Sequence, residues 1–489
     1  MSYNGRHDIF TSVDDLDEIN ILNEINKALA IHFKNKDEEE YLFNYRKGIQ
    51  PILYRTKERH EEICNKIVEN HAESICTFKN GFFLTQPCVF VARNEDSADK
   101  VRELNEYLYR SGKHQADNDI VDNFHTVGRA FLYVEPLQDE ECPFTCYSLD
   151  PRTAEVVKSL RPGNKPVYAF HVVQDGEILY VDVYTRTTYF KLFGSINPIH
   201  PTDDPQFNVW VTKVIEVSPN RLYPHVPIIE YRYSKTNMGA FESVLDLLDT
   251  VNNLNSNRMD SVEQFVQSLI VATNVDFEDG TTARTLNESG LVCLNSPNDK
   301  PSSIEILSEE LNQTQSQVYA DSLLEEIYNI VGMPSTQNSG STSDNVGAVI
   351  YRNGWQNADA YAKNTEDEFR KSNKHFEEII LKILKDKKGL ELTTSDFELS
   401  FIRNEFSNIQ AKAQACGTMI GFGLAPVLAL EWSGLTNDPV SAYEMSKDYF
   451  EAKQKYDSDV NQYGTEEINT AYGTPRETPL EEEIDEITI

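Results

Sequence analysis

Long hydrophobic segments, paired cysteines and basic charge are all scarce in this chain of 489 residues. Its longest apolar run, residues 419–430, contains two glycines and a proline, and it is shorter than the roughly 20 residues that a membrane helix requires. The seven cysteines lie far apart, and an odd, scattered set favours free thiols in a reducing cytoplasm over a disulfide framework. The N-terminus has no charged-then-apolar signal pattern. These absences predict a cytosolic protein without a membrane anchor.

Basic residues are far outnumbered by acidic ones. The chain has 45 Lys and Arg against 79 Asp and Glu, which gives a formal net charge of -34. An open nucleic-acid-binding surface needs clustered Lys and Arg to replace counterions, so this composition disfavours one. The hydrophobic content of 39% and the charged content of 25% are typical of globular proteins. We therefore expect several folded units.

Motifs for catalysis or for binding a cofactor or metal are also incomplete. The Gly-Lys pair that ends at Lys113 lacks the earlier glycine of a phosphate-binding loop, because Tyr107 stands there, and His114 replaces the required Ser or Thr. A segment that begins like a zinc-protease helix at His60 has Cys64 at the second ligand position. The sequence predicts no enzyme activity, no cofactor and no metal site.

What the chain does contain is a series of helices around a loop of small polar residues. Apolar residues return every three or four positions in the first of these helices, which predicts one buried face. Gly and Pro punctuate the segment that follows, and Ser308 is a suitable N-cap for the next helix. The pattern predicts a helix over 240–272, a compact excursion over 273–306, a helix over 308–331, a loop over 335–345 and a helix over 346–388.

Helices and strands alternate in the N-terminal half, and further helices follow residue 389. Asp175-Gly176 lies between two β-branched and aromatic runs and predicts a tight hairpin turn. The acidic end of the chain has the composition of a disordered tail. We expect an α+β fold with helices over 41–47, 61–79, 99–110, 117–129, 408–420 and 440–456, and strands over 131–136, 169–174, 178–185 and 397–401.

Three stretches resemble the portal proteins of tailed bacteriophages, which are the head-to-tail connectors. Residues 226–271 (VPIIEYRYSKTNMGAFESVLDLLDTVNNLNSNRMDSVEQFVQSLIV) resemble the entry into the family's first stem helix. Residues 347–363 (GAVIYRNGWQNADAYAK) resemble its long helix after the tunnel loop. Residues 65–87, which begin NKIVEN, resemble a further helix and strand of the family. One departure is the Asp-Asn-Val-Gly-Ala of residues 344–348, where many relatives have Ser-Gly-x-Ala.

The resemblance implies a mainly helical portal fold with a mixed α/β wing, a two-helix stem, a small α/β clip, a long post-loop helix and a helical crown. Its domains would be an N-terminal extension over 1–36, the N-terminal part of the wing over 37–238, stem helix 1 over 239–273, the clip over 274–307, stem helix 2 over 308–332, the tunnel loop over 333–346, the long helix and C-terminal wing part over 347–423, and the crown with a disordered acidic tail over 424–489.

The resemblance also implies a function. Portal proteins form a ring of about twelve subunits at one capsid vertex of the virion. Double-stranded DNA passes through the ring during packaging and ejection without being read for sequence. The implied partners are the large terminase, head-completion or tail adaptor proteins, and the major capsid and scaffolding proteins. We expect the subunit in the host cytoplasm before assembly, with no membrane partner and no cofactor.

Three sets of residues would carry this function. The first stem helix would line the DNA channel with acidic side chains spaced four and three apart on one face. Twelve copies would then repel the DNA phosphates from all sides and hold the duplex in the centre, whereas ordinary solvation of this face is the alternative. The sets are Glu242, Asp246 and Asp249 in the channel wall; Gln337, Asn338, Ser339, Gly340, Ser341 and Thr342 in the tunnel loop; and Arg370, Lys371 and Lys374 for pairing between subunits.

Two other classes of function remain open on the sequence. A different virion adaptor, from a tail or baseplate, would pack its long helices into a bundle without a central hole. A metal-dependent nuclease is the more distant alternative. A particle image would separate the first from a portal, and a metal-dependent DNA cleavage assay would test the second.

Overall fold

The computed structural model describes most of the chain, and it separates the chain into two compact units. The described residues are 5–57, 62–138, 141–198, 208–266, 269–273, 303–307, 313–334, 354–401, 409–436, 439–440, 442–447 and 449. The first unit comprises Met1–Cys88, Asn105–Thr394 and Phe401–Asn404, and the second comprises Val89–Leu104, Ser395–Ser400 and Glu405–Ile489.

The described residues include nine α-helices, a further helical stretch within residues 439–447, and thirteen strands. The helices are α1 (Ile21–Arg46), α2 (His71–Phe83), α3 (Ala98–Arg110), α4 (Lys113–Val127), α5 (Leu245–Val266), α6 (Gln313–Val331), α7 (Trp355–Lys388), α8 (Ile409–Gly421) and α9 (Pro426–Ser433). The strands are β1 (Ile9–Thr11), β2 (Val89–Ala92), β3 (Arg129–Pro136), β4 (Phe144–Leu149), β5 (Ala154–Ser159), β6 (Pro166–Asp175), β7 (Ile178–Thr185), β8 (Thr188–Ser195), β9 (Val211–Pro219), β10 (Ile228–Arg232), β11 (Leu269–Thr273), β12 (Ser303–Leu307) and β13 (Phe397–Ser400).

A six-stranded sheet with the order β1-β5-β6-β7-β8-β9 forms one part of the first unit. Burial alternates along β7, as expected for a sheet with one face on the core. Helix α1 covers that face with Ile21, Ile25 and Leu29. Asp175 pairs with Ile178 across a two-residue turn, which confirms the predicted hairpin.

A buried cluster of charges joins α1 to two sheets. Arg129 lies on β3, in the three-stranded sheet β10-β3-β4. Its Nε is 2.7 Å from Oε1 of Glu39 on α1, and its Nη1 is 2.6 Å from Oε1 of Glu155 on β5. All three side chains are almost fully buried. A buried charge is tolerated only when it is paired, so the two carboxylates determine where Arg129 can lie.

Helix α7 packs on β10 within the same unit. The Tyr231 hydroxyl on β10 donates to Asn373 Oδ1 at 2.9 Å, and the rings of Tyr231 and Phe369 lie 4.6 Å apart. Helices α5 and α6 pack against each other on an apolar cluster with α1 and α2.

The second unit is smaller. Strands β2 and β13 pair antiparallel, and the rings of Phe90 and Phe397 lie 4.7 Å apart. Helices α8 and α9 pack through Cys416, Ala429 and Leu430. This unit contains the strand predicted over 397–401 and the helix predicted over 408–420, each confirmed to within a residue or two.

The structure differs from the sequence prediction at five helices. The helix predicted over 346–388 begins at Trp355, after Gly354 in the left-handed conformation, and the one predicted over 117–129 begins four residues earlier, at Lys113. The helix predicted over 41–47 is the end of the continuous α1. The one predicted over 61–79 starts only at His71, after an extended segment. The one predicted over 240–272 begins with a 3-10 turn at Glu242–Val244, becomes α-helical at Leu245 and ends at Val266.

The β-branched run that follows α5 explains the early end of this helix. Leu269–Thr273 forms β11 and pairs antiparallel with Ser303–Leu307 in β12, because β-branched residues fit a strand better than a helix. Residues 274–302, 308–312 and 335–353, most of residues 448–456 and the rest of the acidic tail lie outside the described residues. The described part of the helix predicted over 440–456, residues 440 and 442–447, is helical. Among the helices that are described, none combines the length and apolar character that a membrane span requires.

The buried charge cluster gives a prediction for stability. Replacing Arg129 with Met should lower the free energy of unfolding by about 3–5 kcal/mol, because Glu39 and Glu155 would stay buried without their cation. The matched control is Arg161→Met, since Arg161 pairs with Asp14 on the surface and an exposed pair contributes about 0–1 kcal/mol. Urea titration followed by circular dichroism measures both variants. Equal losses in the two would contradict the assignment.

Candidate functional site

Helix α5 has an apolar face that packs on the rest of the first unit. Leu248 and Val251 are buried with Ile327 and Val331 of α6. The same cluster includes Tyr45 of α1, whose ring stacks on Phe241 at 5.9 Å between centroids. The cluster fixes the start of α5 and the end of α6 against α1 and α2.

A second face of α5 binds an extended segment of backbone. Three polar side chains, four residues apart, accept hydrogen bonds from alternate N–H groups of residues 65–69. Four helical residues rise about 6.0 Å and two extended residues about 6.6 Å, so the two spacings nearly match. The bonds run from Glu69 N to Asn252 Oδ1 at 2.8 Å, from Ile67 N to Ser256 Oγ at 3.0 Å and from Asn65 N to Asp260 Oδ1 at 2.7 Å. We call this set the α5 ladder.

Asp260, the last acceptor of the α5 ladder, also contacts two cations. Its Oδ2 lies 2.5 Å from Lys57 Nζ and 3.2 Å from the guanidinium of Arg55. Burial alone would raise the pKa of Asp260, but the hydrogen bonds from Lys57 and Asn65 outweigh it and hold the pKa below its ordinary value. Asp260 is thus a paired, buried carboxylate and does not belong to a solvated acidic face.

Glu242 is also buried, which corrects its predicted place on an exposed channel wall. Its carboxylate forms an ion pair with Arg6, and its Oε2 accepts the Gly239 N–H at 2.8 Å. Only 2% of Glu242 is exposed. Burial raises the pKa of Glu242, and Arg6 opposes that rise. The pattern of three acids on one face did not reveal this because the partner lies 236 positions away in the chain.

Arg6 holds the N-terminal segment over the start of α5. Its Nε lies 3.2 Å from Glu38 on α1, and its backbone N–H donates to the Asn237 carbonyl at 3.2 Å. Asn237 Nδ2 returns a hydrogen bond to the Arg6 carbonyl at 3.0 Å. The N-terminal segment is therefore part of the folded unit, and β1 pairs with β5 directly after it.

The third face of α5 is exposed and polar. Asp246 lies on it together with Thr250, Asn253 and Asn257, which follow at steps of three or four and so form one stripe. We call these four residues the exposed stripe. Asp249 lies beside it, half-buried, and accepts a hydrogen bond from the Tyr45 hydroxyl at 2.9 Å. Burial, with the charge of Asp246, raises the pKa of Asp249.

Helix α6 contains acidic residues and no basic residue. Glu325 and Glu326 are exposed. Apolar side chains are also exposed on both helices of the pair. They are Met259 and Val262 on α5 and Val318, Tyr319 and Ile330 on α6, each with 37–64% of its surface accessible.

The three predicted basic residues of α7 lie on its exposed side. The Arg370 guanidinium lies 5.2 Å from the centroid of the Phe401 ring, and Lys371 Nζ lies 2.6 Å from Glu368 Oε1. Lys374 is exposed one turn further along. The predicted tunnel loop, from Gln337 to Thr342, lies outside the described residues.

A comparison with known protein families identifies the family of this chain. The family described as phage portal protein, SPP1 Gp6-like, matches residues 25–459. The chain belongs to this family. Among curated proteins, no sequence matches it.

Portal proteins are structural ring proteins of the bacteriophage virion, and the match covers most of this chain. The portal ring lies at a capsid vertex, provides the channel for DNA packaging and ejection, and is the platform on which other virion proteins dock. The match favours this portal function over a tail adaptor and over a nuclease, which the sequence had left open.

Sequence analysis missed the α5 ladder. A signal was present, because Asn252, Ser256 and Asp260 are three helix-interior residues of polar type at a constant spacing of four. Such residues are unfavourable inside helices unless they bond to something else.

Among the residues that the structure describes, one cluster also has the donor set of a metal site, namely His225, His375 and Glu378.

Two neighbouring carboxylates should respond differently to mutation. Glu242→Ala should lower the free energy of unfolding by up to about 3–5 kcal/mol, because Arg6 would stay buried with part of its charge unpaired. Asp246→Ala should change it by less than about 0.5 kcal/mol, since Asp246 is exposed. Urea titration measures both, and limited proteolysis reports release of the N-terminal segment in Glu242→Ala alone. Equal stability of the two variants would show that the ion pair is unimportant.

Proposed function

We propose that α5 and α6 of each subunit form the wall of the DNA channel in the portal ring, and that the exposed stripe of α5 faces the DNA. The observation that carries this proposal is the composition of the stripe. It consists of one carboxylate, one hydroxyl and two amides, with no lysine or arginine. Arg55 donates a hydrogen bond to Asn257 of the stripe, but its guanidinium is already paired with the Asp260 carboxylate.

The electrostatics of DNA passage through the ring favour an exposed stripe that faces the DNA. DNA carries one negative charge for about every 1.7 Å of its axis, and tight binding depends on counterion release by Lys and Arg. A stripe that has no lysine or arginine of its own limits that release. Two like charges 10 Å apart in water repel by about 0.4 kcal/mol before screening. A ring of about twelve Asp246 carboxylates would therefore contribute a few kcal/mol, enough to hold the duplex in the centre without trapping it.

Asp249 is half-buried and so contributes less charge to the channel wall. Glu242 is not part of the wall, because it forms the buried ion pair with Arg6. The repulsive charge of α5 thus comes mainly from Asp246, with Glu325 and Glu326 of α6 adding to it where they face the bore. Family membership gives the ring, and the charge of the stripe supports its orientation.

Contacts between subunits are proposed for two other surfaces. A ring interface is heterologous, so each subunit presents two different faces to its neighbours. The exposed apolar residues of α5 and α6 supply one surface that a neighbouring helix pair would cover. Arg370, Lys371 and Lys374 supply a basic surface for an acidic neighbour, which suits a chain with a net charge of -34.

For the remaining portal roles, membership of the family supports the following proposals. Residues 274–307 would form the clip that docks the large terminase and later the head-completion or tail adaptor protein. The tunnel loop would contact passing DNA through the weak polar groups of residues 337–342. The wing and crown would contact the major capsid and scaffolding proteins, and the subunit would be in the host cytoplasm until it assembles.

The channel-wall proposal is tested by reversing one charge on the exposed stripe. Asp246→Lys should still form rings but should slow DNA packaging on the order of tenfold, because a ring of about twelve cations would bind the phosphates. The assay measures nuclease-protected DNA in proheads built with the variant portal. The control is Glu177→Lys, which makes the same charge change at an exposed hairpin residue. If Asp246→Lys packages DNA at the rate of the control, the proposal that the exposed stripe of α5 faces the DNA is wrong.

The basic surface of α7 gives a separate test of ring assembly. Lys371→Glu combined with Lys374→Glu should reduce the fraction of assembled rings, because each interface would lose attraction and gain repulsion. Native mass spectrometry and electron microscopy measure that fraction. The matched control is Lys165→Glu with Lys235→Glu, two exposed lysines outside α7. Wild-type ring yields at low salt, where repulsion is least screened, would contradict the proposed pairing.

A further inference from the structure

Two imidazoles and one carboxylate converge where α7 passes the segment before β10. His375 and Glu378 lie on α7, and His225 lies three residues before Ile228, where β10 begins. Each residue offers one ligand atom, and these atoms lie within 4.8 Å of one another. Glu378 Oε2 is 3.7 Å from His375 Nδ1 and 3.9 Å from His225 Nδ1.

The surrounding structure fixes the backbone that carries the two imidazoles. Residues three apart on a helix share one face, and the fully buried Phe376 and Ile379 set which way that face of α7 turns. The backbone of His225 is bonded on both sides, since its N–H donates to the Leu222 carbonyl at 2.8 Å and its carbonyl accepts from Asn220 Nδ2 at 2.8 Å.

A hydrogen bond also determines which nitrogen of His375 is available to a ligand. Its Nε2 lies 3.1 Å from the Val226 carbonyl oxygen. A carbonyl can only accept, so Nε2 carries the hydrogen and Nδ1 of the neutral ring keeps its lone pair. Metal-bound histidines usually have such a second hydrogen bond to a carbonyl or carboxylate, which orients the ring. His375 therefore has the arrangement of a metal ligand before any metal binds.

The distances suit a small divalent ion. Zinc binds His nitrogen at about 2.0–2.1 Å and carboxylate oxygen at about 2.0–2.2 Å, so tetrahedral ligand atoms are roughly 3.3–3.5 Å apart. The observed 3.7 and 3.9 Å to Glu378 are only slightly longer, and the ligand nitrogens of the two imidazoles lie within 4.8 Å of each other, so a small movement of the side chains would bring all three onto one ion. Glu378 is more than half exposed at its side chain, so it can adjust.

Two cations lie near the cluster. Arg186 and Lys382 both disfavour positive charge on His225, and they would oppose a metal ion as well. Lys382 is itself paired with Asp386 at 3.0 Å, and an Arg186 N–H donates to the Pro166 carbonyl at 2.9 Å. The Glu378 carboxylate offsets part of the remaining opposition.

We propose that His225, His375 and Glu378 bind one divalent transition-metal ion, with Zn²⁺ as the expected occupant. Two histidines and a carboxylate favour Zn²⁺ and similar ions over Mg²⁺ and Ca²⁺, which prefer sites made of oxygen ligands alone. Three protein ligands leave a fourth position for water. The ion would link α7 to the segment before β10. The site is independent of the channel wall, since none of its ligands belongs to α5 or α6.

The test uses the full-length, tag-free protein as it assembles, after treatment with EDTA. Isothermal titration with ZnCl₂ should give one ion per subunit, and Co²⁺ should give visible absorption of a four- or five-coordinate site. Added Zn²⁺ should raise the thermal midpoint, because a ligand that binds only the folded state stabilises it. MgCl₂ and CaCl₂ at the same concentration should do neither. Failure of the wild-type protein to bind Zn²⁺ would overturn the proposal.

Substitutions then identify the ligands. His375→Gln can keep the hydrogen bond to Val226 but loses Nδ1, and His225→Ala loses the second nitrogen. Glu378→Gln changes an exposed side chain and should leave circular dichroism unchanged. Each should weaken Zn²⁺ binding by at least about 10–100-fold, the range already seen when only an outer-shell partner is lost. The controls, Glu368→Gln on the same helix and His114→Gln on α4, should bind as the wild type does. Binding that survives all three ligand substitutions would mean an adventitious ion only.

Discussion

The rotation of α5 about its own axis is the constraint on which the functional interpretation depends. An apolar cluster holds one side of the helix, and the α5 ladder holds another through three backbone hydrogen bonds. The exposed stripe and, beside it, Met259 and Val262 are the parts of α5 left to meet solvent or a partner. Because a polar ladder is satisfied in one register only, sliding the helix by a residue would leave these part-buried N–H groups without acceptors. The face that the helix presents is therefore fixed by groups on its opposite sides.

In this portal protein, the burial of the acidic residues determines the charge of each surface more than their number does. Glu39, Glu155, Glu242 and Asp260 are all acidic, yet each is buried with an arginine or lysine as partner. These carboxylates hold elements together and contribute little to the outer field. The acidity that DNA would meet comes from a smaller set of exposed residues. A net charge of -34 thus overstates the repulsion that any one surface exerts.

Local patterns predicted local structure well. The Asp175-Gly176 turn, α3, α4 and the strands on either side of the hairpin follow from periodicity and turn chemistry, and the family followed from the order of the helices. The extended segment before His71 could not be predicted, because its amides bind side chains almost 190 positions away. The role of Glu242 was hidden for the same reason, since a helical pattern records spacing but not the arrival of Arg6 from the other end of the unit. The tunnel loop remains a prediction.

The ion pair between Arg6 and Glu242 has a consequence for biosynthesis. The N-terminal segment emerges from the ribosome long before residue 242 is synthesised. Strand β1 cannot pair until its partner strand β5 has also been synthesised. Contacts of such high sequence separation form slowly because the chain must first close a long loop. The amino terminus therefore completes its docking late, after the start of α5 has been translated.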